Sequence, residues 1–464
     1  MFSVRRRGAA RLAAATAITG LVAAGAIAVA GPAMADEGAQ GGATATLGNL
    51  KIFDKVVIKD SDRTVSAGLF QMDVNSGGSI QTYCIDLYTG AKTGQEYKEV
   101  GWDQSSLHNN SDAGKIRWIL QNSYPQVNDL DSLAKKAGAS KLSEKTAAAA
   151  TQAAIWHFSD KVEAVPVDAD AAKLTDFLEK NAVELAEPSA SLSLSPSSVA
   201  GKAGSRLGPI TVDTNAATAK VSLAPGAPAG VKIVDKDGKV VTDVVKGSQV
   251  FFDVPAGTAD GAAELTVQAN TTVPIGRAFV ATKTKSQTLI LAGTSTSTVS
   301  AKASATWAKQ GAVPSVTAEK NCAKGGVDIT LANKGDEGWD VDLKGVKYTI
   351  AGGESKTVTV PVAEDEAYKF TITGPNGFEK VVEGVLDCKT ATPGPTPSET
   401  PTDTPSPSQT PATGGSTSGT TGGGDLAETG SSNATPMIAG IAAALVVIGG
   451  GAVFFLRRKK PAGQ

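Results

Sequence analysis

A glutamine in the middle of an otherwise apolar helix restricts this chain more than any other feature. Ser143 is placed to cap a helix, and Glu144 and Lys145 lead into an alanine-rich run that continues to Phe158. Within it, Thr151-Gln152-Ala153-Ala154-Ile155-Trp156 puts Gln152 on one face with Ala148, Ala149, Ile155 and Trp156. Burying a carboxamide without a partner costs roughly 1–3 kcal/mol. Whatever packs over this face must therefore offer hydrogen-bonding groups. A stretch of core backbone would suffice; the sharper expectation is that the partner is a cysteine.

The chain holds three cysteines, Cys84, Cys322 and Cys388. Cys322 and Cys388 bracket one short, strand-rich segment and read as a disulfide pair, worth on the order of 4 kcal/mol by loop-closure entropy. Cys84 is left over. In a secreted chain, an odd cysteine points to pairing with another molecule or to a reactive thiol. A third possibility is an internal bond to carbon: if the Cys84 sulfur attacks the Gln152 side-chain carbonyl, ammonia leaves and a thioester remains.

Tyr83-Cys84 followed about seventy residues later by Thr151-Gln152-Ala153-Ala154-Ile155-Trp156 resembles the thioester domains of Gram-positive surface adhesins. Those domains carry an aromatic-Cys motif on a strand and a Thr-Gln-x-Ala-(Ile/Val)-Trp motif on a helix. The resemblance spans roughly Thr44 to Glu187 and implies a Cys84–Gln152 thioester that an amine or hydroxyl on a target surface opens, leaving the protein covalently attached. Trp156, one turn beyond Gln152, and Tyr83, beside Cys84, are the expected shields against water. Asp86 and His157 are the weaker candidates for a local base.

Both ends of the chain carry export signatures. Arg5, Arg6, Arg7 and Arg11 precede an apolar stretch from Leu12 to Ala30, and Ala33-Met34-Ala35 forms an A-x-A site. Residues 1–35 therefore read as a signal peptide. At the other end, Met437 to Leu456 is apolar and long enough to span a bilayer, and Arg457, Arg458, Lys459 and Lys460 place the tail in the cytoplasm. Leu426-Ala427-Glu428-Thr429-Gly430 stands just before that span. The order resembles a cell-wall sorting signal of the LAxTG kind, implying that a sortase cuts after Thr429 and joins it to peptidoglycan. The expected location is the Gram-positive cell surface.

Between these ends, composition sets further limits. The whole chain carries −2; without the four arginines at the start and the four basic residues at the tail, the ectodomain is at −10. Such a surface gives no reason to expect nucleic acid as a partner. The expected fold is multidomain and mainly β. An N-terminal α+β thioester domain over 44–187, a β-sandwich or barrel with a helical insert, begins with strands at Leu47 to Lys59, Thr64 to Met72 and Gly78 to Tyr88. Helices follow at Asp112 to Ser123, at the Gln152 run and at Asp168 to Glu184. On the third strand, Tyr83, Ile85 and Leu87 face one way and Ile80, Thr82, Cys84 and Asp86 the other. An immunoglobulin-like sandwich is expected over 188–308, with a hairpin turn at Asp235-Lys236-Asp237-Gly238. A smaller immunoglobulin-like β domain follows over 313–389. Residues 390–425, rich in Pro, Ser, Thr and Gly, form a disordered wall-spanning linker, and 426–464 hold the sorting signal and transmembrane helix. No lysine on the first strand of the second domain meets an asparagine on its last, so no isopeptide bond is expected there.

Two rival classes remain. Cys84 with His108 or His157 could form a thiol hydrolase or acyltransferase pair, although a cysteine within a strand lacks the helix N-terminus that lowers a thiol pKa. Alternatively, the chain is a non-covalent stalk or binding protein in which Gln152 is a satisfied core amide. No metal-ligand cluster and no phosphate-binding glycine loop is read: Gly422-Gly423-Gly424 lies in the linker and Gly449-Gly450-Gly451 in the apolar span. No cofactor is expected.

Overall fold

The computed structural model describes residues 34–35 and 41–390. The bulk of the signal peptide, the linker beyond 390, Leu426 to Gly430 and the span from Met437 to Leu456 lie outside the described residues. Among the described residues no helix is long and apolar enough to cross a membrane.

The N-terminal region, called the head below, begins with three antiparallel strands: β1 (Thr44–Ile58), β2 (Arg63–Val74) and β3 (Ser79–Cys84), followed by β4 (Glu96–Val100). Helices α1 (Ala113–Asn122), α2 (Leu130–Ala137), α3 (Glu144–Ser159) and α4 (Ala169–Asn181) come next, with the short strand β5 (Ala164–Pro166) between the last two. α2 is a further helix: Leu130, Leu133, Ala134 and Ala137 stand at helical spacing, but the pattern lasts only two turns; the Asp129 side chain caps it on Ser132 N. α3 begins at Ser143 in a reciprocal capping box with Thr146, and twelve of its sixteen residues are buried. A helix apolar all round must be enclosed, and alanine permits close approach from several sides. Ala149, Ala153 and Trp156 share a core with Cys84 and strand residues. Ala147, Ala150, Ala154 and Ile155 pack with α1 and α4.

The head does not end near Pro188 as the domain boundary 44–187 supposes. Two further strands, β6 (Ala278–Ala281) and β7 (Leu289–Thr294), return about a hundred residues later and pair with β4 and β3. With them six strands close a ring in the order β2-β3-β7-β6-β4-β1 and back to β2, and β5 joins the far end of β1. The second domain is therefore interleaved with the head and not its successor: most of it is inserted before β6, and its last strand, Ser297–Trp307, follows β7. Leu289 and Leu291 of β7 belong to the core that holds Cys84, while Ile290 and Ala292 belong to the helical core. Burial on both faces explains why β7 reads as a continuous apolar run rather than an alternating strand.

The inserted domain is two sheets. Strands 192–195, 206–214, 232–234 and 249–253 form one; 198–201, 219–223, 243–244, 261–271 and 297–307 form the other. Gly261–Thr271 and Ser297–Trp307 pair across eleven positions. The expected turn is present: Gly238 N donates to Asp235 O (3.1 Å), with Gly238 at φ +84°. Where the chain crosses between head and insertion, the buried Glu99 carboxylate accepts from Ala43 N (3.1 Å), Ser191 N (3.0 Å) and Arg277 Nε (3.0 Å). Arg277 also donates to Glu187 and to Pro188 O. One buried ion pair thus ties two of the three crossings, near Pro188 and at Arg277.

The third domain has its own core around Trp339, Ile329 and Phe370. Cys322 and Cys388 are joined as a disulfide, with Cα atoms 5.3 Å apart. Residues 34–35 pair in parallel with Lys380–Val381, so cleavage after Ala35 would remove that two-residue strand. This domain touches the head through the β6–β7 loop: Thr288 Oγ1 donates to Asp387 Oδ2 (2.7 Å), and Lys285 pairs with Asp365.

Candidate functional site

Cys84 is the last residue of β3, in register with Leu289 at the start of β7. It is a free cysteine, 5% exposed, and Gln152 on α3 is fully buried. The two residues meet through a matched pair of hydrogen bonds. Cys84 N donates to Gln152 Oε1 (2.9 Å), and Gln152 Nε2 donates to Cys84 O (2.9 Å). The carboxamide is thus held at both ends by the peptide groups of the residue that carries the thiol. The N–H aimed at Oε1 polarises the carbonyl in the manner of an oxyanion-hole donor.

The flanking residues divide between two sides. Trp156 is 3% exposed and shares the core of Cys84; its indole Nε1 is buried without a hydrogen-bond partner. Tyr83 points to the opposite face of β3, where its hydroxyl donates to Tyr124 O (2.8 Å) within the helical core. Tyr83 therefore walls the strand from behind, and Trp156 is the aromatic group on the thiol side. Asp86, 2% exposed, accepts from Tyr88 N (3.2 Å). His157 lies elsewhere: its side chain is 47% exposed, with Nδ1 3.9 Å from Glu179 Oε1 and its ring edge-on to Phe158. That placement removes it as a base beside Cys84. His108 lies in the turn before α1, with a buried Nε2 that has no partner.

Several residues here escape a sequence reading. Asp160 caps the C-terminus of α3; its Oδ1 accepts from Leu87 N (3.0 Å) and its Oδ2 from Ser159 Oγ (2.7 Å). Burial, with Asp86 adding to it, pushes its carboxyl up to about 7 against the pull of those hydrogen bonds. The β6–β7 loop supplies Gln287, whose Nε2 donates to Asp86 O, and Ser286, whose Oγ accepts from Lys92 N (2.9 Å) and meets Tyr97 Oη (2.7 Å). A carboxylate just past a helix end, where the dipole disfavours it, is a local signal for Asp160. Nothing local marks Gln287, because the fold alone brings it across some two hundred residues.

Burial raises the Cys84 thiol far above the ordinary thiol range, and the Asp160 and Asp86 carboxylates raise it further. This is the opposite of the lowered pKa of a thiol protease. Sulfur here is held neutral beside an amide whose orientation is fixed. In the third domain, ligand atoms of Glu364, Asp365 and Asp387 lie within 4.8 Å of one another. Lys285 and Thr288 already engage two of these carboxylates, so the cluster serves as a joint between domains.

Residues 81–184 match the family model described as a thioester domain, and residues 314–385 match that of the bacterial phospholipase C C-terminal domain. No curated protein matches the chain. Among solved structures, it is similar to the Bacillus anthracis TIE protein at 17% identity and a TM-score of 0.28, covering 75% of this chain and 65% of that one. It is similar to the thioester domain of the Enterococcus faecium TIE86 protein at 20% identity and 0.27, covering 60% and 100%. For the N-terminal thioester domain of a surface protein from Clostridium perfringens the values are 19% and 0.20, covering 30% and 87%. These scores are too low for the superpositions to carry weight. The family match carries it: the stretch holding both Cys84 and Gln152, residues 81–184, is a thioester-domain match.

Proposed function

We propose that this chain is a cell-surface adhesin whose Cys84 and Gln152 form an internal thioester that acylates a nucleophile on a target surface. One observation carries the reading: the buried Gln152 carboxamide is bonded at both ends to the backbone of the single free cysteine among the described residues. In formation, the Cys84 S–H adds to Gln152 Cδ, the C–N bond breaks, and the thiol proton leaves with nitrogen as ammonia. In reaction, an amine or hydroxyl adds to the same carbon, the C–S bond breaks, and its proton returns to sulfur. Each molecule couples once, which sets it apart from a turnover enzyme. Fixed geometry is worth several kcal/mol to such a step, and a buried, water-poor setting lets the acyl group persist.

The remaining parts follow from that role. The signal peptide at 1–35 exports the chain. Leu426, Ala427, Glu428, Thr429 and Gly430 present it to a sortase, which links Thr429 to peptidoglycan. The inserted sandwich and the disulfide-closed third domain, read as immunoglobulin-like, space the head from the wall. Intact-mass measurement of the folded ectodomain tests the central step: a deficit of one ammonia beyond the two disulfide hydrogens supports it, and its absence sinks it.

The non-covalent reading has one observation in its favour. The same two hydrogen bonds give each polar atom of the Gln152 carboxamide a partner, as an ordinary core glutamine requires. It predicts that Cys84→Ala leaves surface binding unchanged.

A further inference from the structure

Two tie points, not one, join α3 to the segment around Cys84. The first is the Gln152–Cys84 pair. The second is at the helix end, where Asp160 Oδ1 accepts the N–H of Leu87, three residues beyond the thiol. Other contacts at that end lead elsewhere: Asn110 Nδ2 donates to Phe158 O (3.0 Å), and Lys161 Nζ donates to the same carbonyl (2.9 Å).

The location of Asp160 is an expensive one for a carboxylate. It lies at the negative end of the helix dipole, it is partly buried, and Asp86 is close enough to repel it. Of its two hydrogen bonds, one is to the adjacent Ser159, which fixes nothing at long range. The other spans 73 residues of sequence and connects the helix of the acyl donor to the turn of the nucleophile.

We propose that Asp160 is a positioning residue for thioester formation, acting as the hydrogen-bond acceptor that pins the end of α3 to the Leu87 turn. The proposal rests on the thioester reading. With both ties in place, the turn after Cys84 cannot slide along the helix, and the sulfur stays opposite Gln152. With the second tie cut, the pair is held only by the bonds to the carboxamide, which must rearrange as nitrogen leaves. The acceptor atom, not the charge, is what the role requires.

The full ectodomain provides the test. Ammonium opens a thioester by the reverse of its formation, restoring the Cys84 thiol and the Gln152 amide. Rapid desalting then lets the thioester re-form, and loss of one ammonia is followed by native mass spectrometry. Asp160→Asn keeps a carbonyl oxygen for Leu87 N–H, so re-formation should run within a few-fold of the parent rate. Asp160→Ala removes the acceptor, and re-formation should slow by at least about tenfold, as small misplacements of reacting groups do. Thermal melting and far-UV circular dichroism report whether each variant is folded. Parent-like re-formation in folded Asp160→Ala overturns the proposal. So does a folded Asp160→Asn that re-forms tenfold or more slowly, because charge would then be the requirement. Should Asp160→Ala not fold, Asp160→Leu, which also lacks the acceptor, takes its place, and a folded Asp160→Asn that re-forms tenfold or more slowly still overturns the proposal. If the parent protein itself never loses ammonia, it is the thioester reading that fails.

Discussion

Two cross-links of nearly equal span can be set side by side in this molecule. Cys322 and Cys388 are 66 residues apart and joined by sulfur; Cys84 and Gln152 are 68 apart and joined by two hydrogen bonds. By loop-closure entropy alone, a covalent bond at either place would stabilise the fold similarly. Their surroundings differ. Cys322 is only partly buried, and the disulfide fastens the ends of a domain with a complete core of its own. Cys84 is enclosed by α3, Trp156 and two carboxylates, its thiol pushed up and its partner atom-matched. Equal span, then, does not mean equal purpose. One link serves stability, and the other is proposed to hold an activated acyl group.

The sharpest way to break that contrast is Cys84→Ala. On the present reading it abolishes ammonia loss and every covalent adduct with a primary-amine probe, read by peptide mass spectrometry at Gln152; persistent labelling at Gln152 would remove the contrast. Next in size is the joint between the head and the inserted domain. Arg277→Ala leaves the Glu99 carboxylate buried without its ion-pair partner, and breaking a buried pair costs about 3–5 kcal/mol; denaturant unfolding should show the loss.

The disulfide gives the complementary test. Replacing Cys322 and Cys388 with serine should lower third-domain stability by about 2–4 kcal/mol, the entropy estimate marking the upper end. Amine coupling at Gln152 should be unchanged in the folded protein. If coupling fell in proportion, the two links would be one mechanical unit. Trp156→Leu is expected to act more gently, leaving formation intact while the thioester hydrolyses several-fold faster, followed as recovery of the free thiol. Parent-like hydrolysis would show that other groups exclude water.

The effect of pH is read in stability rather than in coupling. Asp160 titrates near 7 in the folded head against about 3.9 in an unfolded chain. Between those values the folded state holds a proton that the unfolded state has lost, so stability falls as pH rises through this window and levels off above it. Asp387 and Glu179, each pushed up to about 7 chiefly by burial, add declines of the same sign. Asp160→Asn should flatten part of the slope in thermal melts from pH 4 to 8; an unchanged slope would assign it to Asp387 and Glu179.

How much of this the sequence discloses depends on whether the signal is local. The Ser143 cap, the enclosed alanine helix and the partner-seeking Gln152 are read from neighbouring residues, as are the alternating strands of the insertion. The Cys322–Cys388 pair follows from position alone. The closure of the head by β6 and β7 is not legible in the same way. Ala278–Ala281 and Leu289–Thr294 are short apolar runs, and periodicity cannot say which sheet receives them. For the same reason Gln287 and Ser286 go unnoticed, since only the closed ring carries them to Asp86 and Tyr97. His157 misleads in the opposite direction: it stands next to the motif in sequence but on the outer face of the helix.

The most direct measurement is the intact mass of the folded ectodomain, taken with and without methylamine. The account predicts a protein lighter than its sequence by two hydrogens and one ammonia, gaining one methylamine at Gln152 on treatment. A protein lighter by the two hydrogens alone, and inert to methylamine, would contradict it.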